Sequence, residues 1–196
     1  MQLWLGLGNP GANYALHRHN VGFMVMDLLA DRYRFPAWRQ RFQGLISDGR
    51  IDGERTLLLK PLTFMNESGR SAGEALRFYK LEVDRLIVFH DELDLAPFKL
   101  RVKTGGGVAG HNGLRSLAAH LGTQAFKRVR VGIGHPGHRD RVTGHVLGNY
   151  AKAEIEPLTD LLAAIGDAAP LLAAGDDAGF MNKVALLTRP PATKGP

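Results

Sequence analysis

Two histidines stand at i and i+2 in His17-Arg18-His19-Asn20, on a segment that follows a first apolar run and a cluster of glycines. An imidazole ionises near pH 6.5, so its neutral form can take a proton at working pH and its charged form can return it. Such a base needs a carboxylate to fix its tautomer and to stabilise the imidazolium. His90-Asp91-Glu92-Leu93-Asp94 supplies one, with Asp91 read as the first acid past the carboxyl end of an apolar strand. The plainer reading of Asp91 is a turn or cap aspartate. A metal site is the other alternative, because His17, His19, His90 and Asp91 are all ligand types. No H-E-x-x-H pattern accompanies them, and there is no cysteine.

Three further motifs bear on chemistry. In Lys60-Pro61-Leu62-Thr63-Phe64-Met65-Asn66-Glu67-Ser68-Gly69, Asn66 falls where a helix N-cap is expected. Its amide can equally donate to an ester oxygen. Met65 beside it is either packing or the floor of a pocket. Gly105 to Gly113 leads into a helical pattern, and glycines at a helix N-terminus offer free backbone N–H groups to an anion. Lys103, Arg115 and Arg130 nearby favour a phosphate, although no P-loop Gly-Lys-[Ser/Thr] is present. Gly6-Leu7-Gly8-Asn9-Pro10-Gly11 formally matches the dinucleotide fingerprint. Ala12 to His19 reads as loop, however, so no helix opens at the glycines to face a pyrophosphate. With no cysteine and no G-x-S-x-G elbow, a hydrolase built on these residues would use water as nucleophile.

The elements that must position these residues alternate. Apolar runs at Leu3–Leu7, Arg55–Leu59, Leu86–Phe89 and Val129–Ile133 read as strands, with Phe42–Ile51 hairpinned to Arg55–Leu59 through Asp52-Gly53. Lys99–Lys103 is a further strand. Helical spacing marks Asn20–Arg34, Asn66–Tyr79 (anchored by Leu76 and Phe78), His111–Leu121, a long helix from Ile155, and Phe180–Leu187. The expected fold is one domain over 1–189, a three-layer α/β/α sandwich on a mixed, mostly parallel twisted sheet, with a frayed tail at 190–196. In such sheets ligands gather beyond the carboxyl ends of strands. The loops after Leu7, Leu59, Phe89 and Lys103 carry the motifs above.

Composition narrows the class. A chain of 196 residues with 44% hydrophobic residues suits one globular domain. No run approaches the roughly 20 apolar residues of a membrane span, and no signal-peptide pattern opens the chain. A soluble, cytoplasmic protein is expected. Lys plus Arg total 25 against 19 acids, a formal charge of +6. The bases Arg101, Lys103, Arg115, Lys127, Arg128, Arg130, Arg139 and Arg141 fall in one stretch, while Glu154–Asp177 is acidic by comparison. That asymmetry leans toward a nucleic-acid partner.

Taken in order, GLGNPGANY, HRHNVGF, KPLTFMNESG, HDELDL, GGGVAGHNGLRS, RVRVGIGHP and TGHVLGNY resemble the bacterial-type peptidyl-tRNA hydrolases from about Leu3 to Tyr150. The resemblance implies hydrolysis of the ester joining a peptide to the 3′-terminal ribose of tRNA, with no metal or other cofactor. It implies His19 as catalytic base and Asp91 as its orienting partner. Asn9, Asn66 and Asn112 would line the cleft, with Met65 beside them and Tyr14 at the terminal nucleotide. Lys103 and Arg130 would hold tRNA phosphate, and 137–150 would form a lid. A monomer is expected. The chain departs from the family pattern at His17 (usually threonine), at Ala96-Pro97-Phe98 (usually with Pro-Gly) and at His135 (often arginine). Rival readings are a nucleotide-dependent oxidoreductase, a non-catalytic tRNA-binding protein of the same fold, and a metal-dependent peptidase using His17, His19 and Asp91.

Overall fold

Successive side chains of the first strand, β1 (Gln2–Gly6), enter opposite cores, as the two-residue period of a strand requires. Trp4 packs into one apolar cluster, Leu3 and Leu5 into the other, and all three are fully buried. This computed structural model describes residues 1–192 and 195. The tail expected at 190–196 lies in part outside those described residues.

Six more strands complete one sheet: β2 (Arg39–Arg41), β3 (Gly44–Ile51), β4 (Glu54–Pro61), β5 (Leu86–Glu92), β6 (Leu100–Thr104) and β7 (Lys127–Gly132). Their order is β2-β3-β4-β1-β5-β7-β6. The four central strands β4, β1, β5 and β7 are mutually parallel, and β2, β3 and β6 add antiparallel edges. Helices α1 (Val21–Arg32), α5 (Ile155–Ala173) and α6 (Asp177–Leu187) cover one face around Val25, Leu29, Leu161, Ile165 and Phe180. Helices α2 (Ser68–Tyr79) and α3 (Asn112–Leu121) cover the other around Ala72, Leu76, Leu114 and Leu117. The result is the mixed three-layer sandwich. No helix among the described residues is long and apolar enough to cross a membrane.

Several local expectations change. The β3–β4 hairpin turns at Asp52 and Gly53, both left-handed (φ 47° and 84°), as the Asp-Gly pair foretells. The β2–β3 turn was invisible to the same reasoning, because Phe42 and Gln43 (φ 54° and 50°) adopt left-handed backbone without a turn residue. Phe78 is no core anchor. It is 54% exposed and stacks with Phe42 against the Arg41 guanidinium. Strand β5 extends to Glu92 because its pairing with β7 continues through Asp91↔Val131 and Glu92↔Gly132. Asp91 is therefore a strand residue and not the first acid beyond the strand.

The loop after Lys103 also leaves from the other side. β6 is antiparallel to β7, with Thr104 opposite Lys127, so β6 ends at the edge where the parallel strands begin. The 105–110 segment must then travel back to deliver α3 to the carboxyl edge.

Candidate active site

The glycines of the first loop serve packing. A Cβ on Gly22 would stand 2.5 Å from Leu7 N and Phe89 O, and one on Gly6 would stand 2.2 Å from Gly22 O. Only glycines let α1 cross this close to the ends of β1 and β5. That approach carries the 3-10 turn Arg18–Asn20, which precedes α1, over the end of β5. Only a single 3-10 turn, Ala12–Tyr14, follows Gly11; α1 begins at Val21, ten residues after Gly11, so no α-helix opens at the glycine loop and the dinucleotide reading loses its geometry.

His19 is 8% exposed, and its Nδ1 lies 2.8 Å from Asp91 Oδ2. The loop behind it is locked by Asn20, whose Oδ1 accepts from Asn9 N and whose Nδ2 donates to Asn9 O. Asn9 Oδ1 in turn accepts from Met65 N at 2.8 Å, which leaves its amide nitrogen as the side-chain donor available to the cleft. One chain of bonds thus joins the first loop, the His19 turn and the β4–α2 connection.

A second imidazole shares the carboxylate. His111 Nε2 lies 2.8 Å from Asp91 Oδ1, while its Nδ1 accepts from Gly113 N and Leu114 N as the N-cap of α3. Two backbone donors on Nδ1 leave the proton on Nε2, so the neutral tautomer of His111 is fixed. Each Asp91 oxygen therefore accepts one N–H. Burial opposes the Asp91 charge, but the two imidazoles together hold its pKa well below the ordinary carboxylate value. His111 escaped the sequence reading because a Gly-His-Asn-Gly string reads as loop and helix start. A helix N-cap facing a buried acid was its only signal.

The nitrogen and oxygen atoms of His19, Asp91 and His111 lie within 4.8 Å of one another, close enough for a metal by distance. The His111 tautomer speaks against it. A metal on Nε2, with Nδ1 already an acceptor, would require an imidazolate. His17 is not part of this group: it stacks edge-on with Tyr14 and pairs its backbone with Asn149. His90 is buried beside His111, with its Nδ1 on the Asp91 carbonyl. Burial, then the neighbouring His111, lowers its pKa to about 4, so it is neutral.

These groups open into a cleft of about 900 Å³ that Asn9, His19, Met65, Asn66, Asp91, Asn112, Lys103 and Arg130 all line. Asn66 and Asn112 are exposed in it, and neither caps a helix with its side chain. The residue before α2 is Glu67, and α3 is capped by His111. Tyr14 is not among the lining residues; it stands outside against Phe64, which is.

The basic stretch is less uniform than its sequence suggests. Arg128 is buried, with its guanidinium on the carbonyls of Gly106, Gly107 and Gln124. Lys127 pairs with Asp177, and Arg130 spends its Nε on Glu92. The glycine loop thus turns carbonyls toward Arg128, and the α3 N-terminus is filled by His111. The anion cradle expected from the loop backbone is not formed there. The cations that line the cleft besides Arg128 are Lys103, Arg130, whose outer nitrogens are not used by Glu92, and Arg139. Lys103 pairs with Arg128, three residues before the Val131 that faces Asp91. Lys103 therefore lies about 10 Å along the strand direction from Asp91, whereas Arg130 stands opposite His90, the residue before Asp91. His135 lines the same cleft, with its Nδ1 accepting from Gly137 N.

The segment 137–150 carries α4 (Val142–Val146), and Val142, Thr143, Val146 and Leu147 form one wall of the cleft. Phe98 holds left-handed backbone (φ 66°), where the resemblance would place a glycine, and packs against Tyr150.

The sequence profile of the family described as peptidyl-tRNA hydrolase matches residues 3–192. A peptidyl-tRNA hydrolase of Rhizorhabdus wittichii is 66% identical over 186 residues, 95% of this chain and 98% of its own length. One from Novosphingobium aromaticivorans is also 66% identical, over 95% of this chain and 97% of its own. The crystal structure of peptidyl-tRNA hydrolase from Acinetobacter baumannii superposes with a TM-score of 0.87 at 41% identity, covering 94% of each chain.

Proposed function

The chain belongs to the peptidyl-tRNA hydrolase family, and on that premise we propose that it cleaves the ester of peptidyl-tRNA with His19 as base, Asp91 as its orienting partner and water as nucleophile. The observation that carries the assignment of roles is the 2.8 Å contact between His19 Nδ1 and Asp91 in a cleft lined by three asparagines. With Nδ1–H donating to the carboxylate, the lone pair of the neutral ring is on Nε2. That atom takes the proton from a water as it attacks the ester carbonyl. The developing oxyanion meets neutral amide donors from Asn66 and Asn112, and Asn9 offers its amide nitrogen to the peptide side. The imidazolium, stabilised by Asp91, then returns the proton to the departing ribose oxygen. An ester is activated enough for positioning, one base and fixed dipoles to suffice.

Met65 floors the cleft, Tyr14 and Phe64 offer aromatic faces to the terminal nucleotide, and Lys103 and Arg130 hold a tRNA phosphate. No metal enters this reaction, since the His111 tautomer disfavours one. The protein acts as a cytoplasmic monomer, with residues 1–189 as its hydrolase unit. His19→Ala should reduce cleavage of a purified peptidyl-tRNA by a factor on the order of 10²–10⁴ and leave tRNA affinity within about threefold. Near-normal turnover removes His19 as base, and turnover abolished by a chelator restores the metal reading.

A further inference from the structure

His19 is held by Asp91, and its neighbour Arg18 turns the other way, toward the 145–154 segment. Arg18 N donates to Gly148 O, and Tyr150 N donates to Leu16 O, so the base turn and the segment after α4 form a short antiparallel bridge at His17↔Asn149. The Arg18 side chain crosses this bridge. Its Nη1 donates to His145 O at 3.3 Å, and its Nη2 meets Glu154 Oε1 at 2.7 Å. Its face lies over the Tyr150 ring, 5.6 Å from the centroid. Glu154 is shared, because the same oxygen accepts from Ala151 N just before α5. The ion pair is mostly buried, with side chains 14% and 24% exposed. A Cβ on Gly148 would stand 2.9 Å from Gly144 O and 3.1 Å from Arg18 Nη1, so the guanidinium packs closely against this glycine.

We infer that Arg18 is a positioning residue that couples the cleft wall to the base: it fixes His19 in its productive place only while α4 and the 147–150 segment are docked on the cleft. Three observations carry this. Arg18 is adjacent to His19 within one 3-10 turn, so its displacement moves the His19 backbone. Its partners are the carbonyl of His145, the Gly148 backbone and the start of α5, the points that bracket the cleft wall. Four residues of that wall, Val142, Thr143, Val146 and Leu147, line the cleft that holds His19. A substrate that seats against α4 thereby tightens the turn carrying the base. A displacement of about 1 Å in a catalytic group costs on the order of 10²-fold in rate, so loosening this tie is expected to lower kcat and spare substrate affinity.

The inference rests on His19 as base, and the test separates the two. Arg18→Gln and Glu154→Gln are assayed on peptidyl-tRNA beside His19→Ala, with amide hydrogen exchange read over 145–150 in each. Glu154→Gln leaves Arg18 and the base turn in place, so it stays informative if Arg18→Gln folds poorly. Expected are a fall in kcat of about tenfold or more with KM within about threefold, faster exchange at 145–150, and partial recovery in the Arg18→Glu/Glu154→Arg exchange variant. Normal kcat in the glutamine variants overturns the coupling while a dead His19→Ala keeps the base. A lower kcat with unchanged exchange also overturns it, because the effect would then bypass the wall. An active His19→Ala would remove the base reading and the inference with it.

Discussion

Asp91→Asn separates orientation of the base from electrostatics. The carboxylate has two acceptor oxygens, and each takes one imidazole N–H at 2.8 Å, from His19 and from His111. An asparagine has one acceptor oxygen and one NH₂, so one imidazole must meet a donor. His111 cannot change its tautomer, since Gly113 N and Leu114 N occupy its Nδ1. The amide oxygen therefore turns to His111, and its NH₂ faces His19. That forces His19 to accept at Nδ1 and to carry its proton on Nε2, where no lone pair remains for water. Tautomer reversal in the serine-protease triad costs about 10⁴ in kcat, and loss of a general base costs roughly 10²–10⁴. A fall of about 10³, near 4 kcal/mol of barrier, is expected. Single-turnover cleavage of peptidyl-tRNA measures it, and ¹⁵N shifts of the imidazoles read the tautomer. Raising the pH should not restore activity, because no titration is involved. Asp91→Asn/His111→Ala frees the amide to rotate and should be faster than Asp91→Asn alone. A single variant within tenfold of wild type, or one whose His19 keeps its proton on Nδ1, would refute the argument.

Two further outcomes follow from the electrostatics. His90 has its pKa lowered to about 4 by burial, so its folded value lies below the ordinary 6.5 and the unfolded chain takes the proton first. Its contribution is complete above about pH 6.5 and falls toward pH 4 by roughly 3 kcal/mol. His90→Asn keeps a donor for the Asp91 carbonyl and should flatten that decline in thermal melts; an unchanged slope would assign it to other groups. Lys103→Ala should raise KM for tRNA substrates and lower the salt slope by about one. Arg130→Ala should do so less, because its Nε is spent on Glu92; equal effects in a salt titration would contradict this ranking.

The sequence disclosed residues whose roles follow from residue type plus local pattern. The β3–β4 hairpin was legible in Asp52-Gly53, the central strands in their apolar runs, and the proposed base and acid in an imidazole and a carboxylate that the fold brings to 2.8 Å. Interactions that close only in space were hidden. The β2–β3 turn runs through Phe42 and Gln43, which carry no turn signal. The burial of Arg128 on loop carbonyls could not be read from a stretch of bases, and neither could the direction of β6. His111 was hidden for the same reason, since its two ring nitrogens serve a helix end and a buried acid that are 20 residues apart in sequence.

Those hidden features decide how the site works. If β6 were parallel, the glycine loop would begin beside Asp91 and could present its own N–H groups to a phosphate. Because β6 is antiparallel, the loop must return along the sheet, and Arg128 holds it by its carbonyls on that path. This places Lys103 about 10 Å from the carboxylate along the strands and leaves His111 at the carboxyl edge. There the return path ends in a helix cap, and the cap fixes a tautomer. The rigid imidazole claims one oxygen of Asp91, which leaves the other oxygen for His19 and so directs the His19 lone pair into the cleft. The direction of the edge strand β6 thus reaches His19 through the His111 N-cap.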